Sequence, residues 1–141
     1  MARVLALDVG TKTIGVAVTD PLRMFGQPVV TVSRKGVRKD VVELQVIVDK
    51  FEPDQIVVGL PFELDGTEER SARLARQIGE ALATSSGLPV AYQDERFSSV
   101  EAERKLIAMN VSRKKRKQII DQVAAVVILE SWLREEGFRT S

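Results

Sequence analysis

The sequence predicts an α/β fold built on a mixed sheet of five strands with helices on both faces, and three observations predict it. Five short runs rich in Val, Ile, Leu and Ala are spaced as buried strands. The first three of them follow one another across short turns, which suits an antiparallel meander. The last two alternate with helical patterns, which implies crossover connections and parallel pairing.

Residues 3–9 open the chain as a strand apolar on both faces, with Val4, Leu5, Ala6 and Leu7 in unbroken series. "TIGVAVTD" and "QPVVTVSR" supply the second and third strands. In "RKDVVELQVIVDKF" the period changes, because Val41, Leu44, Val48 and Phe51 recur at steps of three and four, and Pro53 stops that helix. "DQIVVGLP" is the fourth strand. It is followed by "FELDGTEERS", a loop containing the Asp65-Gly66 turn pair. A helix over residues 71–84 places Ala75, Ile78 and Leu82 on one face and ends near Gly87 and Pro89. The fifth strand lies in "LPVAYQDER". Helical spacing then returns over 100–109 and 118–133, with "NVSRKKRKQ" between the two. This order puts the first strand, and Asp8 with it, at the centre of the sheet.

Length and composition bound the function. At 141 residues and 44% hydrophobic content the chain suits a single domain, 1–141, with one ordinary core. No repeat, low-complexity tract or linker divides it. The net charge of +1 gives no overall field, so any argument from charge must be local. Without cysteine there are no disulfides, thiolate nucleophiles or Cys-type zinc sites. Without histidine there is no imidazole base or His-ligated metal. "MARVLALDVG" lacks the pattern of a signal peptide, and no stretch approaches membrane-spanning length, so a cytoplasmic location with no membrane partner is expected.

The informative residues are acids inside apolar patterns, because a buried charge is costly unless something requires it. Asp8 ends the first strand, Asp94 and Glu95 end the fifth, and Asp121 lies within "IIDQVAAVVIL". Asp121 shares its helical face with Ala125, Ile128 and Trp132, a face expected to pack on the sheet. Each acid also has a plain structural reading. Asp8 could initiate an Asx turn before Gly10. Asp121 could stand at the start of its helix, where acids are favoured. Asp94 and Glu95 could simply precede a helix start with a Ser98/Glu101 capping box. If the strand ends and the helix face converge, the carboxylates repel unless a divalent cation binds among them or one is protonated. An all-oxygen donor set favours Mg²⁺ or Mn²⁺, which suits phosphodiester chemistry.

"LALDVGTKTIGVAVTD", "IVVGLPFELDGT", "DERFSS" with Glu101 and Ala102 after it, and "IDQVAAVVILESWL" together resemble the YqgF/RuvX family. These are Holliday-junction-resolvase-like nucleases of the ribonuclease H-like superfamily, linked in bacteria to trimming the precursor of small-subunit (pre-16S) ribosomal RNA. The resemblance covers nearly the whole chain and implies a ribonuclease H-like fold with an acidic metal site. The family's acids fall on Asp8, on Glu95 (with Asp94 the alternative), and on Asp121. Phe97-Ser98-Ser99 stands where the family more often has Leu-Thr-Thr.

Nucleic acid has two candidate contact regions. Arg113, Lys114, Lys115, Arg116 and Lys117 form a run without an acid, read either as a phosphate-binding stretch or as a solvated connector. Thr11 and Lys12 follow Asp8, and Arg96 follows Glu95. Aromatic residues are few and none interrupts the basic run, so recognition through backbone and shape is expected rather than base stacking. The expected partner is thus a ribosomal RNA precursor or branched DNA, bound by a monomer or homodimer. Two competing readings are an actin-like sugar kinase or ATPase, whose first hairpin is similar but which needs two such domains, and a non-catalytic processing factor.

Overall fold

The structure is a computed structural model that describes residues 2–60, 70–94 and 98–140. Its elements run β1 (Val4–Val9), β2 (Thr13–Thr19), β3 (Gly26–Ser33), α1 (Val37–Phe51), β4 (Gln55–Leu60), α2 (Arg70–Ser86), β5 (Val90–Asp94), α3 (Ser98–Ala108) and α4 (Arg113–Thr140). The sheet order is β3-β2-β1-β4-β5. Strands β1, β2 and β3 pair antiparallel, while β4 runs parallel to β1 and β5 parallel to β4. The mixed sheet expected from the sequence is therefore present, with β1 at its centre.

Strand alternation divides the core in two. Leu5, Leu7 and Val9 point with Ile14, Val16 and Val18 towards α1 and α2, where Leu44, Val48, Ile78 and Leu82 meet them. Val4 and Ala6 point the other way with Ala17 and Val57, against Ala125, Ile128, Leu129 and Trp132 of α4. α3 packs on α4 through Ala102, Ala124 and Val127. The helices thus cover both faces. Pro28 lies on β3 at the sheet edge, where its missing N–H is tolerated. α1 closes on Glu52 in the left-handed conformation, directly before Pro53.

Both ends of the last helix differ from the sequence reading. The basic run is the first turn of α4, not a connector, and the helix continues past 133 to Thr140, so that it is 28 residues long. Only residues 109–112 separate it from α3, with Asn110 in the left-handed region at φ 58°. Ser112 starts α4, its Oγ accepting from the Lys115 N–H at 3.3 Å and its carbonyl from the Arg116 N–H at 2.8 Å. Exposed cations in a first turn cost about 0.3–1 kcal/mol each. Burial of Ile128 and Leu129 alone returns about 1.5–3 kcal/mol apiece, so packing overrides the charge pattern. Among the described residues no helix is long and apolar enough to cross a membrane.

Candidate active site at the end of the central strands

The site is built where α4 crosses the antiparallel strands. Asp8 has the parity of Val4 and Ala6, and so faces α4 from the central strand. Its partner across the β1–β2 ladder is Gly15, whose own partner on β3 is Thr31. One row of the sheet therefore reads Asp8, Gly15, Thr31. α4 sits directly on that row. A Cβ on Gly15 would lie 2.0 Å from the Asp121 carbonyl oxygen and 2.2 Å from its carbonyl carbon. Only glycine lets the helix backbone come this close. The Asp121 carboxylate accepts a hydrogen bond from the Thr13 hydroxyl, two residues along β2. Gln122 Nε2 donates to Thr31 Oγ1 at 3.0 Å.

Paired antiparallel strands place opposed Cα atoms about 4.5–5.5 Å apart. With Asp121 resting on Gly15 and Asp8 paired to it, both carboxylates face the same shallow region, each half-buried. Asp121 stands in the third turn of α4, not at its start, which removes the helix-start reading. The Asx-turn reading of Asp8 is likewise replaced, because Asp8 is a paired strand residue and the turn that follows closes through Gly10 N–H to the Thr13 carbonyl at 2.8 Å.

Asp94 sits elsewhere. It pairs with Leu60, which packs towards α1 and α2, so Asp94 occupies the sheet face opposite Asp8. Glu95 and Arg96 lie outside the described residues, as do the Asp65-Gly66 turn and the side chains of the Ser98/Glu101 pair. Among the described residues no three Asp, Glu, His or Cys side chains come together. The Asp8–Asp121 pair offers only oxygen donors on one face, which suits a hard divalent cation such as Mg²⁺ or Mn²⁺.

The turn beyond Asp8 is braced from β3 and α1. Arg34 donates from its backbone N–H to the Lys12 carbonyl at 2.8 Å and from NH1 to the Gly10 carbonyl at 2.8 Å. Its Nε bonds Asp40 at 2.7 Å, and Asp40, with no solvent exposure, also accepts from the Lys35 N–H at 2.8 Å. This ion pair fixes the path of Gly10–Thr11–Lys12 and leaves Thr11 and Lys12 exposed. Sequence reading missed Thr13, Gly15, Arg34 and Asp40. A glycine inside a strand pattern was the available signal for a close backbone approach.

Arg113, Lys114, Lys115 and Lys117 are exposed along the first turns of α4. Arg116 differs from them. It reaches Glu103 at 3.2 Å and the Val111 carbonyl at 2.9 Å, tying α4 to α3. A cavity of about 170 Å³ lies between these helices, lined by Glu103, Arg113, Arg116, Lys117 and Ile120. Trp132 is buried in the core. Tyr92 is covered by Arg76 at 5.0 Å, and burial pushes its phenol above the usual range. Neither ring is offered to a base.

The family model described as "RuvX: Holliday junction resolvase" matches residues 2–135. A Geobacillus protein named "Putative pre-16S rRNA nuclease" is 47% identical over 133 residues, 93% of this chain and 96% of its own. One of the same name from Myxococcus xanthus is 44% identical over 131 residues, 93% of this chain and 87% of its own. Among solved structures, Thermus thermophilus RuvC in complex with a Holliday junction superposes with TM-score 0.58 at 16% identity, covering 97% of each chain. The fowlpox virus resolvase bound to junction DNA gives TM-score 0.58 at 11% identity, over 94% of this chain and 97% of its own. The two structural likenesses show the ribonuclease H-like resolvase fold. The match across residues 2–135, with relatives this similar over almost the full chain, shows that the protein belongs to the RuvX family.

Proposed function

We propose that residues 1–141 act as one nuclease domain that hydrolyses phosphodiester bonds in the precursor of small-subunit ribosomal RNA, in the cytoplasm and with Mg²⁺ or Mn²⁺. The observation that carries this reading is the seating of Asp121 on Gly15, which brings it to the face of Asp8. The relatives' names supply the RNA substrate. Glu95 is the third carboxylate of the proposal. Asp94 is the weaker alternative, since its register puts it on the opposite face.

Asp8, Asp121 and Glu95 would hold the cation, which when bound supplies a Lewis acid and an activated water. The chain's own residues orient and position. Gly15 sets the height of Asp121, Thr13 fixes its carboxylate, and the Arg34–Asp40 pair fixes the turn that presents Thr11 and Lys12 to a phosphate. Lys114 and Lys117 would take backbone phosphates on the Asp121 side of α4, with Arg113 and Lys115 adding to the cationic field around them and Arg96 beside the third acid. The cover over Trp132 and Tyr92 supports recognition through backbone and shape rather than base stacking on those two rings.

A second reading, cleavage of branched DNA, follows from the family model's own description. The deciding measurement is a cleavage panel of a four-way junction, a plain duplex and a ribosomal RNA precursor, with Mg²⁺ and Mn²⁺ compared. RNA cleavage by a monomer supports the first reading, and symmetrical junction cleavage by a dimer supports the second. Asp8→Asn and Asp121→Asn are each expected to lower the rate at least 100-fold while leaving binding nearly intact. No cleavage of any substrate by the parent protein, or none lost in either variant, would remove the enzyme assignment and leave a binding factor.

A further inference from the structure

We infer that Thr13 is a positioning residue for the cation site: its hydroxyl holds one oxygen of Asp121 so that the other is directed to the metal. This rests on the acidic-site reading above. Thr13 stands on the α4 face of β2, the same parity as Gly15 and Ala17, at the first position after the turn. Its hydroxyl donates to Asp121 Oδ2 across 108 residues of sequence. The Asp121 backbone is already fixed, because it rests on Gly15 with no room for a side chain between them. What remains free is rotation of the carboxylate, and Thr13 removes it.

The direction of that constraint is informative. Thr13 lies beyond the Asp8–Gly15 row, towards the Gly10–Lys12 turn. The carboxylate is therefore drawn towards the exposed end of the strands, where Thr11 and Lys12 stand, and away from the apolar packing of Ala125 and Ile128. A donor on Oδ2 also reduces repulsion between Asp121 and Asp8 when no cation is bound, so the pair can stay in place before the metal arrives. Hydrogen-bonded partners of this kind typically contribute 10–100-fold to metal affinity.

A purely structural role would make a different prediction. If Thr13 only packed α4 on β2, an isosteric apolar residue would replace it without effect on cation binding. The test is calorimetric titration with Mn²⁺ in the absence of nucleic acid, alongside thermal unfolding in a chelator. Thr13→Val is expected to weaken Mn²⁺ binding at least 10-fold. Thr13→Ser, which keeps the hydroxyl, is expected to restore affinity to within about 3-fold of the parent. Should the valine variant fail to fold, Thr13→Ala carries the same comparison with serine. Parent-like Mn²⁺ affinity in the valine or alanine variant, with Asp121→Asn impaired, overturns the inference alone. Unchanged affinity in Asp121→Asn overturns the acidic-site reading and this inference with it.

Discussion

The two faces of the sheet are built from the same strands but from different kinds of residue. Towards α1 and α2 the strands present Leu5, Leu7, Ile14, Val16, Val18, Ile56 and Val58, large chains that interdigitate with Leu44, Ile78 and Leu82. Towards α4 they present Val4, Ala6, Gly15, Ala17, Val57 and Gly59, and interrupt them with Asp8 and Thr13. Large residues hold helices at a distance set by side chains, whereas small ones let a backbone approach. The first face provides most of the apolar burial, and the second uses close approach to fix where Asp121 stands. Stability and site geometry are thus separable by face.

Gly15→Ala should produce the largest effect, because the added Cβ meets a helix backbone that cannot rotate away. α4 must lift by roughly an ångström, and a displacement of that size can cost about 100-fold in rate. Gly59→Ala on the same face is the matched comparison. Its Cβ would approach Ile128 Cδ1 at 2.4 Å, the far end of a side chain that can change rotamer. Cleavage rates for the two purified variants should therefore differ by at least 30-fold, with Gly59→Ala close to the parent. Equal loss in both would mean that close approach along α4, not the seat of Asp121, sets activity.

The opposite face should show the reverse pattern. Leu44 is fully buried between α1 and the sheet, so Leu44→Ala is expected to lower the unfolding free energy by about 2–5 kcal/mol. Activity per folded molecule should stay within about 2-fold, measured well below the unfolding transition. A large loss of activity in the folded variant would show that the α1 face also governs the site. Such coupling is built in at Arg34, which joins buried Asp40 of α1 to the Gly10 carbonyl.

Much of this division was legible in the sequence. The continuous Val4–Leu7 run marked a central strand, and the i+4 and i+7 neighbours of Asp121 marked a face packed on the sheet. What periodicity could not supply was contact between distant residues. Thr13 in a strand reads as ordinary β preference, and Asp40 in a first helical turn reads as a favourable dipole interaction. Only the folded structure reveals that one meets Asp121, far along the chain, and that the other turns back across the β3–α1 connection to hold Arg34. The start of α4 was misplaced for a related reason. Five consecutive cations look like solvated chain locally, and the burial that forces them into a helix lies two to four turns downstream.

That helical register also makes the smallest prediction the most discriminating. Lys114 and Lys117 precede Asp121 by seven and four residues, so both lie on its side of α4. Lys115 projects about 120° away round the helix, and Arg116 is occupied by Glu103. If backbone phosphates run along that side, Lys114→Gln with Lys117→Gln should flatten the dependence of log affinity on log salt by about 1.4–1.8, one phosphate contact per lysine. Lys115→Gln alone should leave the slope unchanged. Binding isotherms at several salt concentrations, using Asp8→Asn protein to prevent cleavage, provide the measurement. Equal flattening by all three lysines would indicate a diffuse cationic field, and no flattening by any would return the run to a solvated helix face.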